Sequence, residues 1–274
     1  MDPVFQPVLT TIVSGDLESL RSALEAEPTL VHRRSSCSHP TLLQMVACEA
    51  ENLPDAVGAA AVLVNAGASL AEPLVAAASV DARPVLLYLL ERGAPLDGTT
   101  SWGPLDEALY WRHLELARVL VERGAKVRSL RAAAGLGDVD GMVGFFASGG
   151  LRPEAGPIGS PFPDTVPADR ANVPQDIVNN AFVMAAQNGW SACTAELLAR
   201  GAQVNACPPG FHWRGTALHG AIWRGDRPIV EWLLAHGADP AVRDGMVGGD
   251  ALGWAKHHQH AALIDLLTAE EGST

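Results

Sequence analysis

Basic residues are scarce in this sequence, and their scarcity excludes one class of partner. The chain has 19 Lys and Arg against 31 Asp and Glu, which gives a formal net charge of −12. A surface with this excess of negative charge repels the phosphate backbone of nucleic acids. We therefore expect no nucleic-acid partner, and a preference for basic or polar partners.

Motifs for metal, redox, membrane and nucleotide chemistry are missing as well. The four cysteines, Cys37, Cys48, Cys193 and Cys207, contain no C-x-x-C pair, which excludes a zinc ribbon and a thioredoxin-like motif. No run of about 20 apolar residues could form a transmembrane helix. The first residues lack the basic start and long apolar core of a secretory signal. No nucleophile elbow, phosphate-binding glycine loop or dinucleotide fingerprint occurs. We expect a cytoplasmic, monomeric protein without membrane contact, metal or cofactor.

Hydrophobic residues make up 48% of the 274 residues, and many of them belong to a repeated pattern. A Gly-Ala pair follows an apolar run in five places, and a sixth copy is degenerate. The spacing between successive glycines is 25 to 36 residues, except for one of 52 that contains an insertion. Twelve residues before most of these glycines lies another turn residue, either a glycine or one of Asp81 and Arg112. The pattern predicts repeated units of helix, tight turn, longer helix and chain reversal. The six copies are LVNAGASL (63–70), LLERGAPL (89–96), LVERGAKV (120–127), FFASGGLR (145–152), LLARGAQV (197–204) and LLAHGADP (233–240).

The local chemistry agrees with helical hairpins. Thr41, Ser129 and Thr216 stand where a hydroxyl can cap the first helix of a unit. Apolar residues recur every three or four positions, so each helix has one face to bury. Two short helices cannot bury those faces alone, and stacking against neighbouring pairs makes one continuous core.

These residues resemble the ankyrin repeat, of the type found in bacterial proteins. TALHGAIWRGDRPIVEWLLAHGADP (216–240) carries the T-x-L-H-x-A opening and the closing G-A-D of that family. GPLDEALYWRHLELARVLVERGAKV (103–127) and FVMAAQNGWSACTAELLARGAQVN (182–205) are similar to it nearly as closely. The resemblance implies an all-α solenoid of stacked helix-turn-helix units, with roughly eight units in a single array over residues 1–274.

Residues 147–180 interrupt this pattern. Six prolines and several glycines exclude helix or strand through most of the segment. Two interpretations stay open: a tolerated surface insertion, or a flap over part of the concave face that docks through Ile158, Phe162 and Val166.

The resemblance implies that the first helices line a concave face, with outward side chains just before each inter-helix turn. The turn PPGFHWRG (208–215) adds His212 and Trp213, either at a binding loop tip or as a folded-back hydrophobic plug. Aromatic and Arg side chains among smaller ones are typical of binding sites. The predicted binding residues are Glu49, Tyr110, Trp111, Gln187, Asn188, His212, Trp213, Trp223, Arg224, Trp254 and His258.

Two functions are compatible with this pattern. The first is a module whose concave face binds a protein partner, which is what most ankyrin-like arrays do. The alternative is a small-molecule-binding protein or an enzyme, with an aromatic-lined concave pocket closed by 147–180. Such an enzyme would use acid–base chemistry for hydrolysis, dehydration or cyclisation, with Glu107, Asp106, His219 and His258 as candidate groups. The resemblance also gives His219 and Asp106 a structural reading, in which they tie neighbouring units together. The run KHHQH (256–260) lacks the i, i+4 spacing of a helical zinc site.

Overall fold

The computed structural model describes residues 5–36 and 40–271. The chain divides into two compact units, Met1–Lys126 and Val127–Thr274. Of the cysteines, Cys48, Cys193 and Cys207 form no disulfide among the described residues, whereas Cys37 and the first four residues lie outside the described residues. Both units are built from helix pairs.

The first unit contains four consecutive helix pairs within its described residues. In each pair the two helices pack against each other, and α3, α5 and α7 also pack in succession, as do α2, α4 and α6. The pairs are α1 (Gln6–Ser14) with α2 (Leu17–Ala26), α3 (Leu42–Cys48) with α4 (Ala56–Asn65), α5 (Ala71–Ser79) with α6 (Arg83–Glu91), and α7 (Pro104–Tyr110) with α8 (Leu114–Glu122).

The second unit repeats this arrangement in its described part. The first helices α9, α11, α13 and α15 pack in that order. The pairs are α9 (Leu130–Leu136) with α10 (Val139–Val143), α11 (Pro174–Asn188) with α12 (Ser191–Ala199), α13 (Ala217–Arg224) with α14 (Arg227–Ala235), and α15 (Ala251–His257) with α16 (Ala261–Glu271).

The all-α ankyrin-repeat fold predicted from the sequence is therefore confirmed. Its core consists of the facing sides of the stacked helices, for example Leu74, Leu86 and Leu89 in the first unit and Val230 and Leu233 in the second, all of which are buried. That all eight pairs form a single array over residues 1–274 remains a prediction. No described helix is both long enough and apolar enough to cross a membrane.

Most of the turns inside the pairs use a left-handed backbone, as the glycine pattern predicts. Gly225 between α13 and α14 has φ +76°, and the equivalent Asp81 and Arg112 adopt +51° and +66°. A Cβ on Gly225 would lie 2.8 Å from the ring of His260, so this glycine also allows a close approach of the next pair. Gln259, between α15 and α16, takes the same conformation at φ +59°.

Two of the three predicted hydroxyl caps form as expected. The hydroxyl oxygens of Thr41 and Ser129 accept the N–H groups of Gln44 and Ala132 at 3.2 and 3.1 Å. Thr216 differs, because its hydroxyl contacts Nδ1 of His219 at 2.9 Å instead of a backbone N–H.

The predicted insertion 147–180 is irregular only as far as residue 173, because α11 begins at Pro174. Proline is well tolerated at the first position of a helix, where its missing N–H is not needed. The segment opens with a short antiparallel hairpin of β1 (Phe146–Ala147) and β2 (Gly150–Leu151).

Beyond the hairpin, the segment is attached to the second unit at several points. Nη1 of Arg131 donates to the carbonyl oxygen of Gly159 at 2.6 Å, and the N–H of Gly210 donates to the carbonyl of Thr165 at 3.1 Å. Of the predicted docking residues, Ile158 is buried, whereas Phe162 is 39% exposed. The segment thus packs against the start of α9 and the 208–213 turn, while a role as a flap over a concave face remains a prediction.

The left-handed turns can be tested with a pair of substitutions. Gln259→Gly should raise the free energy of unfolding by about 1 kcal/mol, because it relieves the steric cost of a side chain at positive φ. Gly237→Ala should lower it by a similar amount. Gly237 has φ +88° with no atom within 4 Å of an added Cβ, so only backbone strain acts there. Urea unfolding would measure both values, and a stabilising Gly237→Ala would contradict the left-handed assignment.

Candidate functional site

A cavity of about 560 Å³ in the second unit brings together several of the predicted binding residues. Trp223 comes from the end of α13, Trp254 from the middle of α15, and Trp213 from the turn that precedes α13. Met246 and Val247 form an exposed rim. We call this cavity the tryptophan pocket, and its lining residues are His212, Trp213, Trp223, Met246, Val247, Gly249, Gly253, Trp254, His257 and His258.

Asp244 holds one wall of the tryptophan pocket in place. Its Oδ1 accepts the N–H groups of Met246 and Val247, both at 2.8 Å. Its Oδ2 accepts the N–H of Gly249 at 2.6 Å and the indole Nε1–H of Trp254 at 3.0 Å. One carboxylate thus fixes both the rim loop 244–249 and a tryptophan wall.

The charge of Asp244 is stabilised by these same bonds. Its side chain is 4% exposed, and burial alone would raise its pKa. The hydrogen bonds from Trp254 and from the N–H groups of Val247, Met246 and Gly249 outweigh burial and lower the pKa below its ordinary value. Asp244 is therefore ionised at neutral pH.

Trp254 is the centre of a group of aromatic rings. Its ring centroid lies 5.6 Å from that of Trp213, 5.3 Å from that of His219 and 5.7 Å from that of His258. The first two contacts are edge-to-face, a geometry that aromatic pairs prefer. Trp213 is buried and packs against Phe211 at 5.0 Å, so these two residues form the folded-back plug and only His212 is partly exposed.

His219 ties the neighbouring pairs together, in the way the resemblance implies. Its Nδ1 accepts the N–H of Thr216 at 3.2 Å, and its Nε2 lies 3.2 Å from the carbonyl oxygen of Gly249. Burial lowers the pKa of His219, while the contacts with Gly249, Asp244 and Asp250 oppose this shift. Both ring nitrogens are thus occupied within the fold, which leaves no free nitrogen for the predicted acid–base role.

The pKa values of the two partly exposed imidazoles of the pocket lie below their ordinary value. Burial lowers the pKa of His212. Burial also lowers the pKa of His258, and the neighbouring His257 and His260 add to this effect. Burial therefore favours the neutral form of both of these side chains.

A second aromatic cluster lies in the first unit around Glu107. Trp111 donates its Nε1–H to Oε1 of Glu107 at 2.8 Å, and Trp102 donates to Oε2. The ring of Tyr110 packs edge-to-face on both Trp102 and Trp111, at 5.8 and 5.2 Å. Glu107 is buried, and both of its oxygens accept indole N–H groups. Asp106 accepts the N–H of Gly103 at 3.2 Å, which is a helix-capping contact.

Three predicted binding residues do not point outward as expected. Tyr110 is 1% exposed because of the Trp102 and Trp111 contacts described above, and Gln187 and Asn188 are also buried. Asn188 donates from Nδ2 to the carbonyl of Gly135 in α9, at 3.2 Å. Gln187 lies where Gly220 allows a close approach of α13. These two polar side chains therefore sit inside the stack of first helices and are not displayed on its surface.

Arg224 and Glu49 are accessible but are not among the residues that line the tryptophan pocket. Arg224 donates from Nε to Asp226 at 2.8 Å and from Nη1 to the carbonyl of Asn188 at 3.0 Å. Glu49 accepts a hydrogen bond from Asn52 at 3.0 Å and borders a separate apolar cavity of about 310 Å³ in the first unit.

Sequence reasoning missed the loop that completes the tryptophan pocket. Met246, Val247 and Gly249 lie between α14 and α15, whereas the resemblance predicts binding residues on the first helices of the pairs. A signal was present in DGMVGG (244–249), since an Asp followed by glycines commonly forms a turn held by its own side chain. His257 and Gly253 line the pocket as well.

No group of three or more His, Cys, Asp or Glu in residues 5–36 and 40–271 is arranged to hold a metal ion. Three histidines lie close together in sequence, at positions 257, 258 and 260. The rings of His257 and His258 are 4.9 Å apart and nearly perpendicular. Nε2 of His260 is directed to the carbonyl of Trp223 at 3.4 Å.

Comparison with known proteins agrees with this architecture. A family model for ankyrin repeats (three copies) matches residues 167–244. The chain is also 40% identical over 65 residues to the 2-5A-dependent ribonuclease of Mus musculus, a match that covers 24% of this chain and 9% of that protein. Because so little of the ribonuclease is covered, its activity is not carried over. The matched family segment includes α11 to α14 and the residues up to Asp244.

The Asp244 contacts can be tested with Asp244→Asn. Asparagine replaces one carboxylate oxygen by an NH₂ group, which cannot accept the N–H groups that this oxygen accepts. The free energy of unfolding should therefore fall by about 3 kcal/mol. The indole N–H signal of Trp254 in an NMR spectrum should move as well. Asp239→Asn is a matched control, because Asp239 is exposed and its Oδ1 accepts one backbone N–H. Equal effects of the two substitutions would contradict the role given to Asp244.

The buried His219 predicts acid sensitivity. An unfolded histidine titrates near pH 6.5, whereas burial lowers the pKa of His219 in the folded state. Below about pH 6.5 the unfolded chain therefore binds more protons, and the free energy of unfolding should fall as the pH decreases from 7 to 5. His219→Gln should reduce the dependence of the free energy of unfolding on pH. Glutamine can still form the capping contact with Thr216. An unaltered pH dependence in His219→Gln would refute the assignment.

Proposed function

Because this chain belongs to the ankyrin repeat proteins, we propose that it is a protein-interaction module that anchors its partner in the tryptophan pocket. Ankyrin repeats are generally protein-interaction modules. The observation that carries the proposal is the pocket itself, where three tryptophans surround an open apolar cavity. Tryptophan is enriched among the residues that dominate interface energies.

The exposed apolar rim of the tryptophan pocket favours a protein as the partner. Met246 and Val247 are 62% and 74% exposed, which is unusual for adjacent apolar side chains. Methionine is also enriched at protein interfaces. A partner segment that inserts a side chain into the pocket would cover this rim at the same time.

A small-molecule ligand is the second candidate function. The volume of about 560 Å³ lies within the range of roughly 300 to 1,000 Å³ that is common for ligand sites. An acid–base enzyme has less support, because the polar atoms of Glu107, Asp106 and His219 are engaged in the contacts described above. His258 is the candidate that borders the pocket.

Photo-crosslinking tests the interaction function. A benzophenone amino acid at Val247 should crosslink a protein partner in cells, because this position lies at the rim of the tryptophan pocket. The same label at Val13, which is 59% exposed in the first unit, gives the matched control.

Trp223→Ala should reduce the Val247 crosslink by at least about tenfold, the size of effect expected when an interface tryptophan is removed. Trp232→Ala removes a partly exposed tryptophan outside the pocket and should not reduce it. Crosslinks of equal yield from Val247 and Val13, or no effect of Trp223→Ala in a folded protein, would rule out the pocket as the anchor site.

A further inference from the structure

We propose that the tryptophan pocket accepts an uncharged aromatic side chain of the partner protein. This inference rests on the interaction function proposed above and specifies the chemistry of the anchor. It follows from which groups line the pocket, which groups border it, and what space its glycines leave.

No charged residue lines the pocket. Its ten lining residues include no Asp, Glu, Lys or Arg. The carboxylate that borders it, Asp244, is buried and already accepts four N–H groups. Asp250, at the start of α15, accepts the N–H of Gly253 at 2.8 Å. Both oxygens of Asp244 thus serve the protein's own donors, and Asp250, which does not line the pocket, uses Oδ1 to cap α15.

This arrangement disfavours a charged anchor. Tryptophan faces attract cations, but an ammonium group that enters the pocket loses its hydration and meets no carboxylate among the lining residues to replace it. A carboxylate anchor has no Lys or Arg to meet. Burial also favours the neutral forms of His212 and His258, so it works against a positive charge on these two side chains.

The shape and chemistry of the walls favour an aromatic ring over an aliphatic chain. Trp223 and Trp254 are half-buried and present ring surfaces with which a further ring can make offset or edge-to-face contacts, while the buried Trp213 backs the pocket. The thioether of Met246 at the rim adds a sulfur that favours aromatic neighbours. Aromatic pairs gain stability beyond the area they bury, and aliphatic groups lack this gain.

Two glycines keep space for such a ring. A Cβ on Gly249 would lie 3.0 Å from Cδ1 of Trp254 and from Oδ2 of Asp244, so any side chain there would displace the indole wall. Gly253 faces the same cavity from the first turn of α15. The pocket therefore has large rings in its walls and no side chain at these two glycine positions.

The anchor chemistry can be measured with capped amino acids on the intact protein. N-acetyl-tryptophanamide, N-acetyl-tyrosinamide, N-acetyl-leucinamide and N-acetyl-trimethyllysinamide serve as probes, and the indole N–H signals of ¹⁵N-labelled protein give the readout. We expect the two aromatic amides to shift the Trp223 and Trp254 signals saturably. Their affinity should exceed that of the leucine amide by at least about fivefold, from the extra stability of aromatic pairs. An equal or tighter affinity for the leucine or trimethyllysine amide would overturn the inference.

Matched variants locate the response. Trp223→Ala should abolish the shifts, whereas Trp232→Ala should retain them. Val247→Asp, at an exposed rim position that does not depend on core packing, should weaken the aromatic amides and strengthen the trimethyllysine amide, because it supplies the missing negative charge. Loss of the response in Trp232→Ala, or no change in Val247→Asp, would count against the pocket as the binding site.

The results separate this inference from the interaction function. If the aromatic amides fail to bind while the Trp223-dependent crosslink at Val247 persists, the aromatic anchor is wrong and the interaction function stands. If the aromatic amides bind but Val247 captures no protein, the protein-anchor proposal is wrong, and the pocket binds a small aromatic molecule instead.

Discussion

The constraint on which this structure depends is that no helix pair can bury its own apolar face. Each pair is too short to form a core, so its stability comes from the pair stacked beside it. In the second unit, α11 is covered by α9 on one side and by α13 on the other. Polar contacts also join adjacent pairs, since His219 in α13 contacts the carbonyl of Gly249 just before α15. Stacking therefore sets the positions of side chains that are distant in sequence.

The tryptophan pocket is a consequence of this stacking. Its walls come from α13, from α15, from the turn before α13 and from the loop before α15, so none of these elements forms it alone. The loop 244–249 is joined to the 208–214 turn by the N–H of Gly245, which donates to the carbonyl of Arg214 at 3.1 Å. Asp244 then couples this loop to Trp254. A single buried carboxylate with four donors has a strongly preferred geometry, because any loosening leaves a charge without its hydrogen bonds.

The sequence predicts the helix pairs well, because their signals are local. Glycines at the ends of helices mark the turns. Asp81 and Arg112 stand where other units have such a glycine, and both adopt left-handed φ values. Trp223 and Trp254 are predicted too, since both lie on first helices, which the resemblance places along a concave face. Burial is harder to predict. Gln187 and Asn188 hold the same positions in their unit as Trp223 and Arg224 do in theirs, but α11 packs between two other first helices, and both side chains are buried.

The Asp244 loop shows a second limit of sequence reasoning. DGMVGG is recognisable as a turn, but its contact with Trp254 depends on where α15 begins after that turn. Local patterns fix the conformation of a loop, whereas tertiary packing decides which side chain it meets. The insertion follows the same rule. Its prolines predict an irregular path, and only the structure shows that Arg131 and the 208–213 turn hold it.

These contacts also divide the pocket into fixed and adaptable parts. Trp254 is held by Asp244, and Trp213 is enclosed by the protein, so two walls keep their positions before any ligand arrives. Met246 and Val247 have side chains that solvent surrounds, although Asp244 holds their backbone. A preorganised wall reduces the entropy lost on binding, and an exposed rim can adjust to the residues that flank an anchor. Affinity would then depend mainly on the rings, while the rim would select among partners that carry the same anchor.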